Sequence, residues 1–290
     1  MYKRKTHRFL AGFKLVIVDF DRTFPIAPLI LAAKARNIKT ITLVHGSLSS
    51  YGYTPILADE IWCWGRFQKE QLLDLNVCNS AIKIVGNPAI FKINKSYDFK
   101  NDNATKYFKN QNLFTLGIVL TRKNSEYLKF ILEVRDKLND SPINFLIKKH
   151  PFIDIKEELS IEKEIALNLK IFNNDLNDNY CFYHNCDLLI TSGSSMTFEA
   201  IINDTPVCLI KLLPHEHTES KNLFQMRRDL NIPLFEDSYS TSTYIKNLLR
   251  HRELKGETLE LQQIAVKNSI YSFIGDESIQ NIKSQIKLNL

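Results

Sequence analysis

Short apolar runs alternate with stretches of helical periodicity along most of the chain. The segment Lys14–Phe20 (KLVIVDF) is typical of a buried strand, and Pro25–Asn37 is helical with a proline near its start. The same alternation continues to Pro88 and begins again near residue 113. Strands that alternate with helices, without hairpin signals, favour right-handed βαβ units. The pattern therefore predicts an α/β fold with parallel sheets in two Rossmann-like domains.

A polar stretch rich in lysine, asparagine and aspartate divides the two series. We expect an N-terminal domain over residues 1–95, a linker over 96–112, and a C-terminal domain over 113–290 that ends in a helical tail. Only about four strands precede the linker, so the N-terminal domain is expected to be short: either compact or without opening βα units. The tail either packs back onto the N-terminal half or serves a partner.

The turn Thr191–Ser195 (TSGSS) lies between a predicted strand and a predicted helix. In parallel sheets, ligands bind outside the carboxyl ends of the strands. A turn of glycine and hydroxyl residues before a helix presents free backbone N–H groups, and the helix dipole favours an anion there. The alternative is that a serine of this turn only caps the helix that begins near Met196. The candidate phosphate-binding residues are Gly193, Ser194, Ser195 and Thr197.

Further candidates for an anionic ligand lie near this turn or at other strand ends. Glu199, early in the helix, either hydrogen-bonds a ribose hydroxyl or simply compensates the helix dipole. Lys149 and His150, fixed by a following proline, can donate to phosphate oxygens. Arg122 offers a further clamp, with a solvated basic turn as the alternative.

Other histidines and an aspartate are candidates for chemistry or for contacts with a donor. His45, at a strand end of the N-terminal half, either acts as a general base or shapes the Gly46 turn. Asp21 is a rival base, or an ion-pair partner of its neighbouring arginine. His215 and His217 suit contact with a nucleobase or donor sugar better than metal, because no partnering ligands stand at metal-site spacing.

Net charge and cysteine content limit the kinds of ligand and the cellular compartment that we expect for the protein. The formal net charge of +6 and pI near 8.9 fit an anionic ligand or an acidic membrane surface, whereas no arginine-rich arm indicates nucleic acid. Five cysteines without a CxxC pair favour a reducing compartment, and no signal-peptide pattern is present. We expect a cytoplasmic protein. Its basic opening, MYKRKTHR, is either a solvated terminus or an attraction to the inner face of the membrane.

Three motifs in order carry a family resemblance: the His-Gly turn of TLVHGSLSS, the His-Pro of IKKHP, and the Ser-Ser of LLITSGSSMTFEAIINDTPVCLI. Over Lys14–Lys211 the chain resembles GT-B glycosyltransferases of bacterial surface and capsule polysaccharide synthesis. It is most similar to the Kdo and sialic acid transferases and the CDP-glycerol glycerophosphotransferases.

The resemblance implies a transferase that moves a sugar, or a sugar-like group, from a nucleotide-activated donor to a polysaccharide or glycolipid acceptor. It implies that His150 and the Ser194–Ser195 pair hold the donor phosphate, that Glu199 reaches the ribose, and that His45 lies on the acceptor side. It also implies no metal and no further cofactor, with a CMP- or CDP-linked donor favoured over a UDP-linked one. The alternatives are a UDP-sugar epimerase and an inactive nucleotide-binding partner in a polysaccharide-synthesis complex.

Overall fold

The protein is described by a computed structural model. The described residues are 9–46, 48, 53–92, 113–119, 125–138, 141, 143–148, 169–172, 176–192, 194, 196–211 and 229–289. The chain divides into two compact units. The first comprises Met1–Lys92 together with Lys267–Leu290, and the second comprises Ile93–Val266.

The first unit contains a parallel sheet whose described strands lie in the order in which they occur along the chain. These are β1 (Leu15–Val18), β2 (Lys39–Leu43), β3 (Glu60–Cys63) and β4 (Ile82–Ile84). Helix α1 (Ile26–Lys34) connects β1 to β2, and α2 (Arg66–Asp74) leads through a 3-10 turn at Asn79–Ala81 to β4. All four residues of β3 are buried, which places this strand in the interior of the unit.

The second unit contains a larger parallel sheet. Its strands are β5 (Phe114–Val119), β6 (Ile143–Lys148), β7 (Leu169–Phe172), β8 (Leu188–Thr191), β9 (Val207–Ile210) and β10 (Leu234–Phe235). Its helices are α3 (Ser125–Lys137), α4 (Leu176–His184), α5 (Met196–Ile202), α6 (Ser238–Arg250) and α7 (Glu253–Ser269), the last of which runs across the boundary between the units. Helices α3 and α6 pack together over the core, where Phe130 and Ile131 meet Ile245 and Leu248.

The strand order of the second sheet is β7-β6-β5-β8-β9-β10. The sheet therefore extends to both sides of its first strand, as in a doubly wound Rossmann domain, and its topological switch point lies between β5 and β8. Val119, at the end of β5, is paired with both Lys148 on β6 and Thr191 on β8. The carboxyl edge at these three residues is where a ligand is expected in such a sheet. The prediction of two parallel α/β sheets is confirmed.

The last helix, α8 (Gly275–Asn289), belongs to the first unit. Ile282 and Ile286 of α8 pack against Trp62 and Val85 of the first sheet. The sequence placed all of residues 113–290 in the C-terminal domain, whereas the structure groups residues 267–290 with the first unit. The physical reason is the apolar face of α8, which covers one side of the four-stranded sheet.

Two glycines allow the tail to approach the first sheet. The backbone N–H of Asn87 donates to the carbonyl of Phe273 (3.0 Å), and the N–H of Gly275 donates to the carbonyl of Asn87 (3.2 Å). A Cβ atom at Gly86 would overlap the Phe273 backbone, and one at Gly65 would overlap the backbone of Ile270. Among the helices that the structure describes, none is both long enough and apolar enough to cross a membrane.

Candidate functional site

The turn after β8 carries a helix cap at the switch point of the second sheet. The Ser194 hydroxyl accepts the backbone N–H of Met196 (3.2 Å), the first residue of α5. The N–H of Ser194 itself donates to the Thr191 hydroxyl (3.4 Å). The capping role considered for Ser194 is therefore present. A capping hydroxyl still has its own proton to donate, so capping and anion binding are compatible.

Thr197 presents an unpaired polar atom at the same place. Its side chain is fully buried, and its Oγ1 has no hydrogen-bond partner among the described residues. Its backbone N–H donates to the carbonyl of Ser194 (3.0 Å), which fixes the residue in the turn. A buried hydroxyl without a partner costs free energy and calls for an explanation. A ligand oxygen at this edge would supply the missing partner.

Glu199 lies half-buried on α5, where the Tyr183 hydroxyl donates to its Oε2 (3.0 Å). Burial raises the pKa of Glu199 above its ordinary value, and the Tyr183 hydrogen bond and the positive charge of Lys148 oppose that rise. One hydrogen bond leaves most of the accepting capacity of a carboxylate available. The arrangement can therefore accept further hydrogen bonds from hydroxyl groups of a ligand.

Lys148 brings a positive charge to this edge, although the sequence selected its neighbour Lys149. Lys148 ends β6, is only 5% exposed, and holds its Nζ 5.9 Å from the centroid of the Phe182 ring. Every residue of β6 is buried, so the strand ends on a buried cation rather than on a solvated one. The signal in the sequence is a lysine that closes a mainly apolar strand, Ile143–Lys148, in which Asn144 is the other polar residue. Tyr183 carried no comparable signal.

In the first unit, His45 follows β2 and its ring is exposed. Its Nδ1 lies 3.1 Å from the backbone carbonyl oxygen of Asp19 and 3.1 Å from the Tyr53 hydroxyl. Because a carbonyl only accepts, a hydrogen bond to Asp19 requires the ring proton on Nδ1, whereas the Tyr53 hydroxyl can pair with either tautomer. Nε2 of the neutral ring then carries the lone pair, which is the form required of a general base.

The turn that carries His45 is held by α2. Gln68 is buried, donates to the carbonyl of Gly46 (3.1 Å), and accepts the backbone N–H of Trp64 (2.8 Å). The Trp64 indole N–H in turn donates to the carbonyl of Val44 (2.8 Å). Gln68 and Trp64 thus hold the turn through the carbonyls of Gly46 and Val44, separately from the contacts that Nδ1 of His45 makes with Asp19 and Tyr53.

Asp21 is 1% exposed, and its Oδ2 accepts the backbone N–H groups of Leu57 (2.7 Å) and Ala58 (2.9 Å). These bonds anchor the segment that leads into β3. These two hydrogen bonds give Oδ2 a structural role that requires no catalytic function, while Oδ1 has no hydrogen-bond partner among the described residues. The adjacent Arg22 donates to the carbonyl of Thr54. A catalytic role for Asp21 stays a prediction.

The structure thus brings Ser194, Thr197 and Glu199 to one edge of the second sheet, and His45 and Asp21 to the carboxyl edge of the first. The part of the chain that the structure describes contains no group of three or more His, Cys, Asp or Glu residues able to hold a metal ion. Seven candidate residues lie outside the described residues, and their roles stay predictions. They are Arg122, Lys149, His150, Gly193, Ser195, His215 and His217.

Neither a family model nor a curated protein matches the chain. Solved structures do match it. A glycosyltransferase from Rickettsia africae ESF-5 has a TM-score of 0.68 at 14% identity, over 99% of this chain and 79% of that one. UDP-GlcNAc 2-epimerase from Neisseria meningitidis, bound to UDP-GlcNAc, has a TM-score of 0.69 at 14% identity, over 98% and 80%.

A third match is Anabaena Alr3699/HepE in complex with UDP-glucose, with a TM-score of 0.61 at 12% identity, over 98% of this chain and 82% of that one. Similarity at these identities establishes the fold. The chain has the GT-B fold of two Rossmann-like domains, which transferases and epimerases of nucleotide sugars share.

Proposed function

We propose that the chain is a glycosyltransferase that binds a nucleotide-activated sugar at the carboxyl edge of its second sheet, between β5 and β8. The observation that carries the proposal is the buried, unpaired Thr197 hydroxyl beside the Ser194 cap and the half-buried Glu199. A sheet edge at a switch point that offers hydroxyl donors, a carboxylate and the nearby charge of Lys148 suits the phosphate and ribose of a nucleotide.

Each group has a role in the proposed reaction. The Ser194 and Thr197 hydroxyls donate to phosphate oxygens, and Glu199 accepts from the ribose. The charge of Lys148 and the donors of the turn stabilise the nucleotide phosphate as it departs from the anomeric carbon. In the first unit, Nε2 of His45 removes the proton of the acceptor hydroxyl, which attacks that carbon directly. The reaction uses no metal in this proposal.

The finer assignments rest on the sequence motifs. The His-Pro and Ser-Ser motifs support an acceptor of surface polysaccharide or glycolipid type and a cytidine-activated donor. Three of the matched structures support uridine instead, since they were solved with UDP, UDP-GlcNAc or UDP-glucose. The two lines of support therefore predict opposite rankings of nucleotides, which a binding measurement decides.

A UDP-sugar epimerase is the second candidate, because 2-epimerases are among the matched structures. Incubation with nucleotide sugars separates the candidates. A transferase releases the nucleotide in the presence of an acceptor, whereas an epimerase returns a nucleotide sugar of altered stereochemistry. An inactive binding partner binds the nucleotide but neither releases it from a nucleotide sugar nor changes the stereochemistry of that sugar.

The first experiment is a thermal-shift screen of the chain against CMP, CDP, UDP and GDP, in which a ligand that binds only the folded state raises Tm. It is repeated with Thr197→Val and with the matched control Thr42→Val. Thr42 is also buried, and its Oγ1 also lacks a partner among the described residues, but it lies on β2 of the first unit.

Neither substitution is expected to destabilise the protein, because each replaces an unpaired hydroxyl by a methyl group of similar size. Thr197→Val should weaken nucleotide binding by roughly tenfold, the value of one hydrogen bond to a charged group, and Thr42→Val should leave it unchanged. The absence of a shift with every nucleotide, or an equal loss in both variants, would contradict the proposed donor site.

A further inference from the structure

Three rings form a cluster just after the carboxyl ends of β1 and β2 in the first unit. Phe20 and His45 each follow one of these strands by two positions, and Tyr53 comes from the segment that leads to β3. The ring centroids lie 5.2 Å apart for Phe20 and Tyr53 and 6.2 Å apart for each of the other two pairs. Phe20 meets both neighbours edge to face, which is a preferred arrangement of such rings. The two aromatic neighbours limit the orientations of the His45 ring.

Nδ1 of His45 has two oxygen neighbours of different kinds. The Asp19 carbonyl oxygen and the Tyr53 hydroxyl oxygen each lie 3.1 Å from this nitrogen. Tyr53 is only 3% exposed, so a buried side chain, rather than solvent, holds the hydroxyl at the ring. The first contact belongs to the main chain and survives any side-chain substitution. The second is removed by Tyr53→Phe alone.

The two contacts are both favourable for only one position of the ring proton. With the proton on Nδ1, the N–H is shared between two oxygens that both accept. With the proton on Nε2, Tyr53 would donate to the lone pair of Nδ1, but the Asp19 carbonyl oxygen would face the same lone pair at 3.1 Å without a proton between them. The hydrogen bond made at one ring nitrogen sets the tautomer of a histidine. The pair of oxygens therefore favours Nδ1–H.

We propose that Tyr53 is a positioning residue for His45: its hydroxyl accepts from Nδ1–H beside the Asp19 carbonyl and so keeps the lone pair on Nε2. In the proposed reaction, Nε2 takes the proton of the acceptor hydroxyl, whose O–H electron pair remains on the oxygen that attacks the anomeric carbon. The ring is then a cation with an N–H on both nitrogens, and it later returns the proton to water.

The same two oxygens serve the charged ring without any rearrangement, because Nδ1 keeps its proton throughout. Hydrogen bonds with a charged donor are stronger than neutral ones, so the Tyr53 contact strengthens as the charge develops. The inference rests on the proposed function for the use of His45 as a base. The tautomer itself is measured without any substrate.

The test is 15N NMR of the full chain labelled at histidine, in alkaline buffer where histidine rings are neutral. The chain has seven histidines, and the ring signals that His45→Gln removes belong to His45. Protonated and unprotonated ring nitrogens differ in chemical shift, so the two signals give the tautomer ratio. The variant, Tyr53→Phe, keeps the ring that packs on Phe20. The matched control is Tyr271→Phe, since Tyr271 is also 3% exposed in the first unit but packs on Trp64, with centroids 5.4 Å apart.

In the wild type and in Tyr271→Phe, Nδ1 is expected to show the protonated shift and Nε2 the unprotonated one. Tyr53→Phe should lower the ratio of Nδ1–H to Nε2–H by about fivefold, the value of one hydrogen bond. The proposal is overturned if the wild-type ring is protonated on Nε2, or if Tyr53→Phe leaves the ratio unchanged or raises it. A rise would mean that Tyr53 donates to Nδ1.

Failure of the proposed function gives a different result. A His45→Gln variant that transfers the sugar at the wild-type rate would remove His45 as the base of the reaction. The ratio of tautomers in the wild type and in Tyr53→Phe would be unaffected by that outcome, so the two failures are distinguishable.

Discussion

Alanine substitutions at four glycines of the first unit separate the cost of backbone conformation from the cost of steric overlap. Gly86 has a φ of +85° and a Cβ there would overlap the Phe273 backbone, whereas Gly12 has a φ of +91° and no atom of the described residues within 4 Å of its Cβ position. A Cβ at Gly65 would overlap the Ile270 backbone without a positive φ, and Gly46 shows neither feature within the described part of the chain. The four positions thus form a complete two-by-two comparison.

The expected magnitudes follow from these contacts. Gly12→Ala should cost about 1–2 kcal/mol, the penalty of an L-residue in the left-handed region. Gly65→Ala should cost about 1–3 kcal/mol, because the tail backbone must move. Gly86→Ala carries the conformational penalty and also displaces the two hydrogen bonds of Asn87, each worth about 1 kcal/mol, for a total of about 3–4 kcal/mol. Gly46→Ala should stay within about 0.5 kcal/mol.

The assay is urea unfolding followed by tryptophan fluorescence. The chain has two tryptophans, Trp62 and Trp64, and both are buried in the first unit. Their emission therefore reports the unfolding of that unit even where the two units unfold separately. A Gly86→Ala cost equal to that of Gly12→Ala would refute the reasoning, since it would show that the tail does not press against Gly86 in solution.

Two further predictions concern the second unit. Because burial raises the pKa of Glu199, the folded state binds the carboxyl proton more tightly than the unfolded state does. Protonation of Glu199 therefore stabilises the fold at pH values below the pKa of an ordinary glutamate, and this contribution is lost as the pH rises through the raised pKa. Nucleotide affinity, which uses the ionised carboxylate, should rise over the same window. Tyr183→Phe removes a bond that lowers this pKa, so affinity measured against pH should shift its midpoint upward; an unmoved midpoint would disprove the link. Gln262 is fully buried and bonds both the N–H and the C=O of Val207 (2.9 and 2.7 Å). Gln262→Leu should therefore cost about 2–4 kcal/mol in urea unfolding, and a loss below about 1 kcal/mol would show that water replaces the amide.

Much of the fold could be predicted from local pattern, and the exceptions have physical causes. The strand predicted within Lys14–Phe20 and the helix predicted within Pro25–Asn37 are observed at Leu15–Val18 and Ile26–Lys34. Helix α4 was missed because LNDNYCFYH lacks a clear apolar repeat, and β10 was missed because two residues are too few to show one. The return of α8 to the first unit depends on packing over a long sequence separation, which periodicity does not encode.

The candidate site likewise contains features that the local sequence predicts and features that depend on residues distant in the sequence. The turn at Ser194 could be predicted because glycine and hydroxyl residues between a strand and a helix act locally. The Tyr183 hydrogen bond to Glu199 could not be predicted, since it joins α4, which precedes β8 in the sequence, to α5, which follows it. The buried position of Lys148 depends on its neighbours β5 and β7, and the two backbone bonds of Asp21 depend on a segment 36 and 37 residues away.

The return of α8 has a consequence for the order in which the protein folds during translation. The strands of the first sheet leave the ribosome before any part of the second unit, but the helix that covers Ile41, Trp62 and Val85 leaves after all of it. The second unit can therefore complete its core while the first sheet still exposes one apolar face. The unit synthesised first is the one finished last, and during that interval its uncovered face is the natural target of chaperones.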